Sequence, residues 1–150
     1  MNGDVDVQCN SEAPGIPSEE IIRHWALSTL QEMSKIGNSL TVRIVDETEI
    51  AEINETYRQK RGPTNVLSFP FENPPGVDAG ILGDIIICAP VVNREASEQN
   101  KTPEAHWAHM VVHGILHLCG YDHIQDKEAR RMEAKEVQAM GQLGFEDPYS

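Results

Sequence analysis

His113-Gly114-Ile115-Leu116-His117-Leu118-Cys119-Gly120-Tyr121-Asp122-His123 places three histidines at positions 1, 5 and 11 of one segment, with glycine at position 8. His113 and His117 are four apart, so on a helix their side chains are neighbours on one face and can grip one metal ion. A glycine at 120 can take the left-handed conformation that ends a helix and turns the chain back. That turn would bring His123 onto the same ion. The spacing H-x-x-x-H-x-x-G-x-x-H is that of one group of zinc proteases. Those enzymes carry a glutamate general base directly after the first histidine. Here that position is Gly114. The expectation is a three-histidine metal site at a helix end, without the peptidase base.

A structural zinc usually has four protein ligands, often cysteines. Cys119 lies between the histidines but on another face, and Cys9 and Cys88 are distant in sequence. An open fourth position, the catalytic arrangement, fits better. Imidazole suits zinc, nickel, copper and iron alike, so spacing alone does not select the metal.

The 150 residues suit one domain with a sizeable core. Hydrophobic residues make up 39% and charged residues 24%, the balance of an ordinary globular protein. No apolar run is long enough to span a bilayer. The first residues, with Asp4, Asp6 and Glu12 and no apolar segment, do not read as a signal peptide. Three cysteines without a C-x-x-C pair make no disulfide framework, so a reducing, cytoplasmic setting is expected. The net charge of -12 argues against a general nucleic-acid binder, although it does not describe any one cleft.

Residues 1–15 read as a loose arm or an edge strand, Val5 and Val7 alternating with charge. Ser18 is a candidate N-cap for a helix carrying Ile21, Ile22, Trp25, Leu27, Leu30 and Met33, stopped by Gly37-Asn38. A strand from Leu40 to Val45, a helix from Asp46 to Tyr57 and a strand from Asn65 to Phe71, broken at Pro70, follow. Ile81 to Cys88 is nearly all apolar, as a central strand would be. Pro90 opens a third helix. Thr102-Pro103-Glu104 opens the helix that carries His113 and His117. Asp126 to Leu143 is the last helix, with Met132, Val137 and Met140 facing inward. The mixture predicts an α+β domain with a small mixed sheet packed by helices. His106 and His109 share a helix face with His113 and are expected as surface or wall residues. His24 is unrelated to the site.

The histidine segment is similar to the signature of the YbeY family of bacterial endoribonucleases, the rRNA maturation factors. Ile53-Asn54-Glu55-Thr56-Tyr57-Arg58 resembles the family's helix ending in a functional arginine. Pro63-Thr64-Asn65-Val66-Leu67-Ser68-Phe69-Pro70 resembles its P-T-D-V-L-S-F-P strand, with Asn65 in place of the aspartate. Leu82-Gly83-Asp84-Ile85-Ile86-Ile87 resembles its G-D-I strand. The resemblance spans about residues 20–145. It implies a four-stranded mixed sheet with about six helices. It also implies a single-strand-specific, metal-dependent endoribonuclease acting in 16S rRNA 3′-end processing and ribosome quality control. One zinc ion per chain would sit on His113, His117 and His123.

Three neutral imidazoles would leave zinc its double charge, able to act as a Lewis acid on a phosphoryl oxygen or to lower the pKa of a bound water to about 7. Arg58 is the candidate for stabilising the phosphate charge, from the family match and its place in a basic cluster. Lys60, Arg61 and Ser68 are candidate substrate contacts, against the alternatives of a solvated helix end and an ordinary strand serine. Asp84 and Asp122 are the carboxylates available as a general base, with Asp122 alternatively orienting a ligand histidine. The expected partners are single-stranded RNA and the ribosomal particle or its associated proteins. Two competing functions are a zinc metallopeptidase-like hydrolase and a non-catalytic ribosome-assembly factor with a structural zinc.

Overall fold

The computed structural model describes residues 4–122 and 124–149. In chain order these form β1 (Val5–Cys9), α1 (Glu19–Glu32), β2 (Ser39–Val45), α2 (Glu47–Arg58), β3 (Val66–Pro70), β4 (Ile81–Cys88), α3 (Ala89–Glu98), α4 (Pro103–Leu118) and α5 (Asp126–Gln142). The sheet order is β1-β2-β4-β3. β1, β2 and β4 run parallel and β3 runs antiparallel to β4, so the sheet is four-stranded and mixed. Val5–Cys9 is thus an edge strand and not part of a loose arm. Five helices surround the sheet among the described residues, as the apolar periodicity predicts, and not the six implied by the resemblance.

Strand alternation divides the core. Val5, Val7, Leu40, Val42, Ile44, Ile85 and Ile87 face one way and pack with α1, α4 and α5. Leu67, Ile86 and Cys88 face the other way, against Ile50 of α2 and Val91 of α3. α4 lies at the centre of the larger core, touching α1, α3, α5, β3 and β4. Trp107, Val111, Val112, Ile115 and Leu116 on it are fully buried. Burying each such aliphatic side chain contributes about 1.5–3 kcal/mol, so the site helix is anchored by its own packing. Trp107 is core, as expected, and its Nε1–H donates to Asn93 Oδ1 at 2.9 Å.

The predicted caps form. Ser18 Oγ accepts from the Ile21 N–H, and Thr102 Oγ1 accepts from the Ala105 N–H. α1 ends earlier than its apolar pattern suggests, at Glu32, because Ser34 takes the left-handed conformation (φ 56°) ahead of Gly37. On α5 the inward positions are Met132, Glu136, Ala139 and Met140, and Val137 is only half-buried. Two glycines on the site side of the sheet are dictated by space. At Gly83 the backbone has φ +142°, and a Cβ would stand 2.2 Å from the Phe69 carbonyl oxygen, so only glycine lets β3 and β4 pair there. At Gly114 a Cβ would stand 2.8 Å from Ile85 Cγ2, so glycine is what lets α4 lie down on β4.

Candidate metal centre and cleft

α4 ends as its sequence predicts. Cys119 is the C-cap and Gly120 adopts φ +98°. The Gly120 N–H reaches the His117 carbonyl and the Tyr121 N–H reaches the Leu116 carbonyl, both at 3.0 Å, the paired bonds of a Schellman turn. One turn before it, His113 Nε2 and His117 Nε2 stand 3.1 Å apart. Two imidazole nitrogens bound to tetrahedral zinc at about 2.0–2.1 Å would be separated by about 3.3 Å. The pair therefore already has the spacing of two ligands of one ion. The third expected ligand, His123, lies outside the described residues.

His113 and His117 open into a cleft of about 860 Å³ that Arg58, Lys60, Asn65, Ser68 and Asp122 also line. Arg58 is the last residue of α2 and Lys60 follows Gln59, a left-handed C-cap (φ 57°). Asn54, buried on the same helix, donates its side-chain N–H to the Gly62 carbonyl at 3.0 Å and ties the loop that carries Lys60 back to the helix that ends in Arg58. Arg58 and Lys60 are exposed, so their charges are available to an anion. Arg61 is exposed but does not line this cleft. Ser68 lines the cleft while its hydroxyl donates to the Gly114 carbonyl at 3.1 Å, pinning α4 to β3. Asp122 is at the cleft, whereas Asp84 is exposed on β4, on the sheet face opposite Gly83 and Ile85.

The clearest departure from expectation is behind the pair. His106 and His109, read from sequence as surface or wall residues, are 3% and 7% exposed. A helix that is apolar nearly all round is buried on every side, so its remaining histidines are buried with it. Each has found a carboxylate. His106 Nε2 bonds Glu95 Oε1 at 2.9 Å, and His109 Nε2 bonds Glu136 Oε2. Their Nδ1 atoms are buried without a partner among the described residues. The ring proton therefore sits on Nε2, where an acceptor waits, and the bare nitrogen is the one left unpaired.

Glu136, which is not among the residues expected at the site from sequence, is 1% exposed. Its Oε2 also meets His113 Nδ1 at 3.2 Å, and its Oε1 accepts from the Tyr149 hydroxyl at 2.7 Å. Burial alone would raise its carboxyl, but the bonds from His109 and His113 outweigh that and hold it at about 2. It is ionised at neutral pH. Burial and the same carboxylate push the Tyr149 hydroxyl well above its ordinary range, so it stays a donor. His109, His113 and Glu136 bring their ligand atoms within 4.8 Å of one another, a second grouping with metal-binding chemistry. The signal for Glu136 was present: Met132, Glu136 and Met140 recur every four residues on one stripe, and a carboxylate there must have partners.

Asn65 explains its own departure from the family pattern. Its amide donates to Glu95 Oε1 at 3.1 Å, which an ionised aspartate could not do. Burial lowers the pKa of His106 below 6.5, against the opposing bond from Glu95. The folded state thus takes up this proton less readily than the unfolded state. Its contribution to stability is complete above pH 6.5 and is lost as the pH falls below it. Metal-free protein should be less stable to urea at pH 5.5 than at 7.5, and His106→Gln, which keeps the donor, should show a smaller difference. An equal loss in both proteins would contradict this.

The family model described as Endoribonuclease YbeY matches residues 6–144. An Endoribonuclease YbeY of Alcanivorax borkumensis is 52% identical over an alignment of 158 positions covering 100% of this chain and 90% of that protein. A Thermotoga maritima protein known from a solution structure superposes with a TM-score of 0.63 at 28% identity, over 97% of this chain and 99% of the other. With the family model spanning β1 to the end of α5, and with the histidine turn, the arginine-ended helix and the P-T-N-V-L-S-F-P strand meeting at one cleft, the chain belongs to the YbeY endoribonuclease family.

Proposed function

We propose that this protein is a metal-dependent endoribonuclease that cuts single-stranded RNA in the cleft between α2, β3 and the end of α4. The observation that carries the reading is the 3.1 Å pair of His113 and His117 nitrogens opening into the cleft that Arg58 and Lys60 line. In this reading His113, His117 and His123 hold one zinc ion per chain. When bound, that ion supplies Lewis-acid polarisation of a phosphodiester oxygen. Arg58 offers planar, paired N–H donors to the phosphate as its negative charge grows. Lys60 adds a point charge at the cleft wall, with Arg61 further out. Ser68 can contact phosphate only by releasing its bond to Gly114. The strand's own 2′-hydroxyl supplies a nucleophile: a P–O2′ bond forms as the P–O5′ bond breaks. Asp122, which lines the cleft, takes the 2′-hydroxyl proton, and the departing 5′-oxygen takes a proton from water. We further assign the substrate as ribosomal RNA, with cleavage serving 16S rRNA 3′-end maturation and ribosome quality control in the cytoplasm. With net charge -12 and two cations at the cleft, ribosome-associated partners would present the strand. No helix of the described residues is long and apolar enough to cross a membrane.

The peptidase alternative is weakened by more than the missing base. The Gly114 position faces Ile85 with no room for a side chain, so a glutamate there could not reach a substrate. A purely structural zinc is weakened by the opening of both histidines onto the basic cleft.

Arg58→Ala tests the assignment of the phosphate contact. Losing one such donor set should slow cleavage about a hundredfold or more, by analogy with removed oxyanion donors. Arg58 is exposed, so metal content and unfolding midpoint should not change. Cleavage at the wild-type rate would return Arg58 to the role of a solvated helix end.

A further inference from the structure

We infer that Glu136 is the positioning residue of the metal centre and that Tyr149, in the C-terminal segment, holds it in place. The inference rests on the reading above that His113 and His117 are ligands. Glu136 projects from α5 into the core, where an ionised carboxylate needs full compensation. It receives three contacts: His109 and His113 on Oε2, Tyr149 on Oε1. An ionised carboxylate only accepts hydrogen bonds. The ring proton of His113 is therefore fixed on Nδ1, and Nε2 is left with its lone pair aimed at His117 and the cleft. A ligating histidine commonly gives its other N–H to a carboxylate, which sets its tautomer and ring orientation. In this chain the carboxylate comes from a different helix, 23 residues along the sequence.

The C-terminal segment completes the support. The Tyr149 ring stands edge-on to His109, with centroids 5.4 Å apart and planes at 87°. Its backbone N–H is fixed by Asp147 Oδ1 at 2.8 Å, and the Pro148 carbonyl accepts from Lys101. His109 and Tyr149 thus occupy the approaches to Glu136 that His113 does not use. Tyr149 acts on the centre through Glu136, which it bonds, and His109, which its ring packs against.

The test compares wild type, Glu136→Gln, Tyr149→Phe and His117→Ala. Nitrogen-15 NMR of the imidazoles in metal-free protein reads which His113 nitrogen carries the proton. Competition against a chromophoric chelator reads Zn(II) affinity, and circular dichroism reads the fold. The expected result is a proton on Nδ1 of His113 in the wild type and a 10–100-fold weaker affinity in folded Glu136→Gln. A smaller loss in the same direction is expected in Tyr149→Phe. Wild-type affinity in both Glu136→Gln and Tyr149→Phe would overturn the inference. So would a metal-free wild type carrying the His113 proton on Nε2, a measurement that stands even where Glu136→Gln does not fold. Undiminished zinc binding by His117→Ala would instead overturn the reading beneath it, moving the ion to His109, His113 and Glu136.

Discussion

His117→Ala should lose stoichiometric metal uptake and at least about a thousandfold in RNA cleavage while remaining folded. The size follows from the several kcal/mol that a metal ion supplies to developing charge, with each 1.36 kcal/mol worth about tenfold in rate. The fold should survive because α4 is held by Trp107, Val111, Val112, Ile115 and Leu116, none of which the substitution touches. His117 is only half-buried, so truncating it leaves no large cavity. Elemental analysis of untagged protein, beside a cleavage assay and a thermal melt, checks all three. Wild-type metal content in the variant would remove His117 from the centre.

Gly114→Glu should fail to fold and should gain no peptidase activity. Its Cβ alone would stand 2.8 Å from Ile85 Cγ2, inside the contact that joins α4 to β4. Over-packing of this kind costs about 1–3 kcal/mol, of which better helix propensity returns up to about 1. Gly114→Ala should therefore fold with reduced stability. The glutamate adds several kcal/mol for a buried, unpaired carboxylate, against a total stability of about 5–15 kcal/mol. Expression with a circular dichroism melt checks this. A soluble Gly114→Glu protein melting with the wild type would mean that α4 can lift off the sheet. The protease-like spacing and the missing protease base then have one physical explanation: in this fold the helix face next to the first histidine is a packing surface.

What could be read from sequence was local. Ser18 and Thr102 as caps, Gly120 as the turn and the i, i+4 histidine pair each depend on residues within one or two turns of helix. The central position of β4 was legible because a strand covered on both faces has no polar period. The pairing of His109 with Glu136 spans 27 residues, and the strand order rests on pairings such as Val5 with Leu40 that lie further apart still, which no local pattern carries. For His106 and His109 polar residue type points to the surface, whereas the apolar helix around them takes them inside. That helix buries 11 of its 16 residues, so its histidines went inside with the rest. On α5 residue type points to Val137 as the inward position, whereas the period points to Glu136. The four-residue spacing from Met132 to Met140 points to position 136, and there the chain placed a charge that anchors His113.

The most direct test of the central claim is cleavage of an end-labelled, unstructured single-stranded RNA by purified wild-type protein after chelation and after zinc is restored. The expected result is internal cutting that stops on chelation and returns with one equivalent of zinc per chain. Internal cutting that persists unchanged in fully metal-depleted protein, or none at all in the zinc-loaded protein, would contradict it.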